Sequence, residues 1–339
     1  MIAPRTGPAR LDIDLDRAGR SWGAMRIPWS DDRSAYGQIV IPIAVISNGE
    51  GPTALLTGGV HGDEYEGQIV LGALARDLDP SSIRGRIIIM PCANPAAALA
   101  GRRTSPVDHG NLARLFPGDS AGGPTGQIAE GITRLLLPEA DFLVDFHSGG
   151  STLDYLPCAF GRLPSDPPLA TRVLDLLLAF GAPIAAVMRR PEARGTLVST
   201  ALDMGIAAMA TELGGGGGVS GDTLALAKRG LMRTLAHMGI VEANEVPPAS
   251  RLLAIESNHF VRSPGRGLFE PAFMLGDRVE DGDLAGRLST FERPDREPDD
   301  IVFAAGGIVL CRRVPTMTEP GDVLVHLGED IDHETLLSQ

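Results

Sequence analysis

The first part of the chain alternates short apolar runs with one helical pattern. The run YGQIVIPIAVISNGEG predicts a β-strand that ends at an Asn-Gly turn. The segment TALLTGGVHGDEYEGQIVLGALARDL predicts a short buried strand, a glycine-rich turn and a helix that starts near Asp63. RIIIMPCANP predicts the next strand, which stops at Pro95. This strand–helix–strand order is a βαβ unit, and it favours a sheet flanked by helices.

The alternation resumes after an irregular stretch. Residues 96–125 are rich in Gly, Pro, Arg and Asp and predict a long loop, a kind of segment that is often functional in compact domains. Beyond the loop, the strands predicted in ADFLVDFHSGG, IAAVM and AAMATELGGGGG alternate with helices in QIAEGITRLLL, LATRVLDLLLAFG and residues 197–204. The amphipathic helix DTLALAKRGLMRTLAHMGI closes this part of the chain.

The pattern changes at Pro247 and Pro248, after which short strands and turns replace the helices. We therefore predict a mixed α/β domain over residues 1–246, with a β-rich N-terminal segment, and a small all-β domain over residues 250–339. Turns such as LGDRVEDGD and EPGDVLVHLG resemble those of lipoyl-type half-barrels. No lysine follows Lys228, so a covalently attached lipoyl or biotinyl group is excluded.

Charge and composition narrow the functional class. The formal net charge of −13 argues against a nucleic-acid-binding protein, which usually carries a basic stripe. The three cysteines form no CxxC pair, which fits a reducing cytoplasm. No signal peptide and no apolar run of membrane-spanning length is visible, so we expect a cytoplasmic protein. A homo-oligomer is left open.

Two histidine motifs at predicted strand ends indicate a metal site. His61 and Glu64 lie three residues apart where a strand turns into a helix, and His147 follows a second apolar strand. A catalytic zinc ion takes three nitrogen or oxygen ligands and keeps one position for water. Parallel sheets place their sites at the carboxyl ends of the strands. An isolated HxxE has about even odds of being structural, but the shared strand-end setting favours one metal site.

Five motifs, taken together and in order, resemble the succinylglutamate desuccinylase/aspartoacylase family, relatives of the zinc carboxypeptidases. They are GGVHGDEYEG, NPAAALAGRR, NLARLFPGD, DFHSGG and TELGGGGG. The resemblance implies a central mixed β-sheet flanked by helices, with residues 1–246 as the zinc-peptidase-like catalytic domain. It also implies one Zn²⁺ per chain, bound by His61, Glu64 and His147, and hydrolysis of an amide in a small N-acylated amino acid.

The same resemblance assigns roles to residues outside the metal site. Glu212 matches the catalytic glutamate, which takes a proton from the attacking water and passes it to the leaving amine. Arg103 matches the arginine that polarises the scissile carbonyl, although Arg102 beside it leaves the assignment open by one residue. Arg114 matches the arginine that binds the substrate carboxylate, a task that suits its planar guanidinium.

The sequence departs from the family pattern at the substrate end. Many relatives carry Asn-Arg at the carboxylate clamp, where this chain has Ala113-Arg114, so half of the clamp is missing unless Asn111 substitutes for the amide. Aspartoacylases also carry an arginine about ten residues before the catalytic glutamate, and the stretch LVSTALDMGI here has none. These departures predict a substrate with a neutral or cationic side chain rather than a second carboxylate.

Within the family, NLARLFPGD together with TELGGGGG is most similar to the deacetylases that act on N-alpha-acetyl-L-2,4-diaminobutyrate in ectoine breakdown. The alternatives are a succinylglutamate desuccinylase or an aspartoacylase-like deacylase. A metallocarboxypeptidase, or a binding module with a vestigial metal site, is less well supported. The glycine run Gly214–Gly218 lacks the GKS/T signature of a phosphate loop, so it predicts either a close backbone approach or a turn.

Overall fold

The computed structural model describes residues 7–189, 194–242 and 245–337. The helices of the described part all lie before residue 238, except a short one at the C-terminal end. They are α1 Glu66–Asp77, α2 Pro95–Ala100, α3 Pro124–Leu135, α4 Pro167–Phe180, α5 Leu197–Asp203, α6 Gly221–His237 and α7 His333–Leu337. Among these helices, none is long and apolar enough to span a membrane.

The strands fall into an N-terminal series, interleaved with the helices, and a C-terminal series without them. The first series is β1 Arg10–Asp12, β2 Gly19–Pro28, β3 Gln38–Asn48, β4 Thr53–Thr57, β5 Gly85–Met90, β6 Phe142–Asp145, β7 Leu153–Tyr155, β8 Cys158–Gly161, β9 Ile184–Met188 and β10 Ala207–Glu212. The second series is β11 Arg251–Ile255, β12 Phe260–Arg262, β13 Gly267–Pro271, β14 Arg278–Val279, β15 Leu284–Ser289, β16 Asp299–Val302, β17 Gly307–Arg313, β18 Met317–Thr318 and β19 Val323–Asp330.

Most strands join one large mixed sheet. Its order is β1-β2-β3-β5-β4-β6-β10-β8-β9-β11-β19-β17-β14, with β12 beside β19 and β7 beside β17. The strands β5, β4, β6 and β10 are mutually parallel, so their carboxyl ends meet at one edge. The next strand, β8, runs antiparallel to β10. Because β4 and β6 are buried on both faces, they read as continuous apolar runs rather than as alternating patterns.

The C-terminal strands divide between two sheets. β11 pairs in parallel with β9, so the large sheet continues past residue 250. A separate antiparallel sheet has the order β16-β15-β13-β18. Its residues contribute to a second apolar cluster around Phe269, Phe303 and Leu324, distinct from the main core. The predicted α/β fold with a small C-terminal β unit is therefore confirmed. The exact boundary between residues 246 and 250 stays a prediction. Residues 1–6 and 338–339, at the outer ends of the two predicted ranges, lie outside the described residues.

The predicted loop over residues 96–125 is partly wrong, because it contains the helix α2. Asn94 caps this helix, its side-chain oxygen accepting from the Ala97 N–H, and Pro95 occupies the first turn. Gly101 ends it in the left-handed conformation. Asn, Pro, an alanine run and Gly in that order are a full set of helix signals. The helix α1 also begins at Glu66, three residues later than predicted, because the turn at residues 61–64 precedes it.

Candidate functional site

The parallel pairing of β4 with β6 brings the two histidine motifs together. Thr57 at the end of β4 lies opposite Asp145 at the end of β6. The turn after β4 carries His61 and Glu64, and His147 follows β6 by two residues. One ligand atom from each of these three side chains lies within 4.8 Å of the others. The structure thus assembles a group that can hold a metal ion.

The carboxylate of Glu64 lies between the two imidazole rings. Its Oε1 is 2.7 Å from His61 Nδ1, and its Oε2 is 2.8 Å from His147 Nδ1. The backbone N–H of Ser148 also donates to Oε2, at 3.3 Å. His61 and Glu64 are each only 3% exposed, so this group is shielded from bulk water. Both rings therefore present the same nitrogen, Nδ1, to a common centre.

The other nitrogen of each ring contacts an oxygen acceptor. His61 Nε2 is 3.2 Å from Asn111 Oδ1, and His147 Nε2 is 2.9 Å from Asp145 Oδ2. The hydroxyl of Thr57 in turn donates to Asp145 Oδ1 at 2.6 Å. A ring that donates from Nε2 keeps a lone pair at Nδ1, which is the arrangement that metal-binding histidines show. Two such nitrogens and one carboxylate are a donor set that fits a divalent metal ion.

Electrostatics tie the three groups together in the metal-free protein. Burial alone would lower the pKa of His147, but the carboxylates of Asp145 and Glu64 outweigh burial and raise it well above its ordinary value. Burial would likewise raise the pKa of Glu64, and the two histidines hold it lower instead. For His61, burial prevails and lowers the pKa. His147 thus carries a positive charge beside the Glu64 carboxylate, and a bound metal ion would replace that charge.

Glu212 ends β10, beside β6, at the same edge of the sheet. Its Oε2 is buried and has no hydrogen-bond partner within the described chain. Burial, followed by the negative charge of Glu64, raises the pKa of Glu212 to about 8, although His147, Arg103 and Arg114 oppose the rise. A buried carboxyl group that titrates near neutral pH and has an unused oxygen is suited to proton transfer.

Arg103 rather than Arg102 contacts the ligand group. Arg103 Nη1 donates to Glu64 Oε1 at 3.3 Å, whereas the side chain of Arg102 is exposed. The helix α2 positions this pair, because the Gly62 N–H donates to the Arg102 carbonyl at 2.9 Å. Gly62 is required there, since a Cβ at residue 62 would lie 2.0 Å from the Ala97 carbonyl carbon. The sequence left open whether Arg102 or Arg103 lies at the site, and the structure places the side chain of Arg103 there.

Asn111 caps a short 3₁₀ turn over Leu112–Arg114, and Arg114 is the last residue of that turn. Asn111 Oδ1 accepts from the Ala113 N–H and contacts His61, so its amide NH₂ is the group left to donate to a substrate carboxylate. Arg114 is exposed and donates to the Ala113 carbonyl at 2.8 Å. Partial burial of its guanidinium group, followed by the nearby charge of Arg103, lowers the pKa of Arg114, while Glu212, Tyr155 and Glu64 oppose this shift. Both residues lie at the site, but their contact with substrate stays a prediction.

The glycine run Gly214–Gly218 allows two backbone segments to approach each other closely. The N–H groups of Gly149 and Tyr155 both donate to the Gly214 carbonyl, and the Gly217 N–H donates to Gly150 O at 2.7 Å. A Cβ at Gly215 would lie 1.9 Å from the carbonyl oxygen of Leu153. The glycines after Glu212 therefore allow this turn to interlock with the turn after His147.

Three residues at the site, Asp145, Thr57 and Tyr155, were not predicted from the sequence. Asp145 and Thr57 orient His147, and the spacing of Asp145 two residues before His147 on a strand was a usable signal. Tyr155 is brought in by the pairing of β7 with β17, where it lies opposite Cys311. Burial and the charge of Glu212 raise its pKa well above the ordinary value. No local pattern could have predicted that placement.

Comparisons with known proteins identify similar chains. The family model described as the succinylglutamate desuccinylase/aspartoacylase catalytic domain matches residues 50–238. The N-alpha-acetyl-L-2,4-diaminobutyric acid deacetylase of Halomonas elongata is 39% identical over 331 residues, which covers 97% of each chain.

Solved structures of similar chains superpose over nearly the whole length. The product-bound ectoine utilization protein EutE (DoeB) from Ruegeria pomeroyi is 40% identical, with a TM-score of 0.92 over 96% of this chain and 99% of that one. The succinylglutamate desuccinylase/aspartoacylase from Rhodobacter sphaeroides is 38% identical, with a TM-score of 0.90 over 96% of this chain and all of that one. The resemblance stated from the sequence motifs is thereby confirmed.

Proposed function

Because the chain belongs to the succinylglutamate desuccinylase/aspartoacylase family, we propose that it is a zinc-dependent deacetylase of N-alpha-acetyl-L-2,4-diaminobutyrate. The chain is a hydrolase of linear amide bonds, as its family and its relatives indicate. The observation that carries the proposal is the buried group of His61, Glu64 and His147, with the unpartnered Oε2 of Glu212 on the neighbouring strand.

Zinc is the metal that suits this donor set best. Two imidazole nitrogens and one carboxylate oxygen form the ligand set of several zinc hydrolases and leave a position open for water. When bound, zinc activates that water as a nucleophile and polarises the amide carbonyl. Cobalt or manganese can occupy similar sites, so the metal content of the purified protein is part of the test.

The remaining chemistry is performed by side chains of this chain. Glu212 accepts a proton from the attacking water and delivers it to the leaving amine nitrogen as the amide bond breaks. Arg103, held beside Glu64, supplies positive charge toward the oxygen of the scissile carbonyl. Arg114, with the Asn111 amide, binds the α-carboxylate of the substrate. The products are acetate and a free diamino acid.

The substrate assignment rests on the charge of the segment that leads into β10. A second substrate carboxylate would need a second cation, and residues 197–206, which form α5 and the approach to β10, contain no arginine or lysine. The relative in Halomonas elongata carries the name of a deacetylase of acetyl-diaminobutyric acid. A side chain that ends in an ammonium group needs no such cation, and this favours acetyl-diaminobutyrate over acetyl-aspartate.

A comparison of substrates tests the proposal. Zinc-loaded protein is assayed with N-alpha-acetyl-L-2,4-diaminobutyrate, N-acetyl-L-aspartate and N-succinyl-L-glutamate, with release of the free amine as the readout. We expect kcat/KM to be highest for acetyl-diaminobutyrate. Preference for either dicarboxylate would contradict the substrate assignment, and release of C-terminal residues from peptides would indicate a carboxypeptidase instead.

A further inference from the structure

The strands β6 and β10 stop pairing just before they reach the site. Their parallel register ends at Ala210 opposite Asp145, because β6 ends at Asp145. β10 runs on for two more residues, Thr211 and Glu212, which pair with β8 on the other side. His147 and Glu212 thus follow the last regular contact between their strands. The regular pairing of the two strands therefore does not fix His147 relative to Glu212.

The side chain of Thr211 makes that connection. The backbone N–H of His147 donates to Thr211 Oγ1 at 3.1 Å, and the same hydroxyl donates to the His147 carbonyl at 3.1 Å. On the other side of Glu212, the Leu213 N–H also donates to the His147 carbonyl, at 3.2 Å. Thr211 and Leu213 are both fully buried. The two neighbours of Glu212 therefore both bind the main chain of His147.

We propose that the Thr211 hydroxyl is a positioning group that fixes the main chain of His147 relative to Glu212. It keeps the third metal ligand and the proton-transferring carboxylate at one separation. This inference rests on the proposed function of the site, because it takes His147 as a ligand and Glu212 as the base. Thr211 itself reaches neither substrate nor metal, so it acts through these two residues.

A hydroxyl is suited to this position because it donates and accepts at the same atom. Valine has nearly the same shape and cannot do either. In Thr211→Val the His147 carbonyl would keep the Leu213 N–H, but the His147 N–H would lose its partner in a buried place. The His147 main chain would then shift. Displacements of about 1 Å at reacting groups cost roughly a hundredfold in rate.

The experiment compares three variants for zinc affinity and for steady-state kinetics. Thr211→Val removes the hydroxyl, and Thr211→Ser restores it without the methyl group. Thr234→Val is the matched control, because Thr234 is also fully buried and its hydroxyl donates to Gly230 O inside α6. Zinc affinity is measured by competition with a chromophoric chelator, which requires no substrate. Thermal unfolding reports whether each variant is folded.

We expect Thr211→Val to lower kcat and zinc affinity each by about 10- to 100-fold, with a smaller change in KM, since this is the usual cost of losing a group that orients a ligand. Thr211→Ser should recover most of both losses, and Thr234→Val should match the wild type. Wild-type kcat and zinc affinity in Thr211→Val would overturn the inference. So would equal losses in Thr211→Ser, or losses in Thr234→Val of the same size.

Two arrangements keep the result decisive. If Thr211→Val does not fold, Thr211→Ala against Thr211→Ser makes the same comparison at nearly equal side-chain size. If the wild type hydrolyses none of the acyl amino acids, the proposed function fails. The zinc affinities of the Thr211 variants still decide whether the hydroxyl positions His147.

Discussion

The two halves of the site are supplied by regions that hold their side chains differently. At the strand ends, His61 and Glu64 are buried, His147 is 13% exposed, and each imidazole nitrogen has an oxygen neighbour. In the segment between α2 and α3, Arg103 is half-buried and keeps one ion pair with Glu64, and Arg114 is exposed. The strand ends thus hold the three possible metal ligands through several contacts, whereas the two arginines are held by fewer contacts.

This difference indicates how the family can vary its substrates. Substitutions in the segment between α2 and α3, for example at Ala113, leave the residues of the strand-end group unchanged. We therefore expect variants at the strand ends to affect catalysis and metal binding. Variants between α2 and α3 should affect substrate binding, except at Arg103 and Asn111, which also contact Glu64 and His61.

The largest effect is expected from Glu212→Gln. The amide has the size of the carboxyl group but cannot take a proton, and general acid–base groups contribute about 10²- to 10⁴-fold to rates. We expect kcat to fall by that factor while zinc stoichiometry, measured by metal analysis, stays at one per chain. Wild-type turnover in this variant would refute the assignment of Glu212 as the base.

The second prediction compares the adjacent arginines. Arg103→Gln removes the charge beside Glu64 and should lower kcat by about 10²- to 10³-fold, the usual cost of losing one group that stabilises an oxyanion. Arg102→Gln changes an exposed side chain and should stay within about twofold of the wild type. Steady-state kinetics with acetyl-diaminobutyrate measure both. A larger loss of kcat in Arg102→Gln than in Arg103→Gln would assign the stabilisation of the oxyanion to Arg102 instead.

The third prediction concerns the support of His147. Asp145→Asn keeps the shape of the side chain but removes the charge that orients the ring, so zinc affinity should fall about 10- to 100-fold. Asp166→Asn is the control, because Asp166 caps α4 and asparagine caps helices about as well. Chelator competition measures both affinities. Equal affinities in the two variants would show that Asp145 does not support the ligand.

The strand-end group was predictable from sequence because it depends on local order. An apolar run that ends in His61 or His147 places each residue at a sheet edge, and parallel strands share that edge. Tyr155 and Thr211 were not predictable in this way. Tyr155 reaches the site through a pairing with Cys311, more than 150 positions away, and Thr211 matters only because β6 turns aside at His147.

The helix α2 was missed for a different reason. Its signals, Asn94, Pro95 and Gly101, were all present, but the richness of the surrounding segment in Gly, Pro and Arg favoured a loop. The consequence reaches the site, because α2 packs against Gly62 and sets the position of Arg103. Capping residues were therefore more informative here than the average composition of the segment.

The last prediction concerns the pH dependence of stability in the metal-free protein. Burial raises the pKa of Glu212 to about 8, from an ordinary value near 4.5. As pH rises through this window, the unfolded chain loses the proton while the folded chain keeps it. The contribution of Glu212 to the free energy of unfolding is therefore full below pH 4.5 and is lost by about pH 8.

Glu212→Gln cannot ionise, so it should escape this loss. Urea unfolding with a chelator present, at pH 5 and at pH 8.5, measures the effect. Relative to the wild type, the variant should be more stable at pH 8.5 than at pH 5. The same change at the exposed Glu270 on β13 should leave the difference between the two pH values unaltered. A constant difference for Glu212→Gln would mean that burial and the charge of Glu64 do not hold this carboxyl protonated, and the contrast with the arginines would then rest on geometry alone.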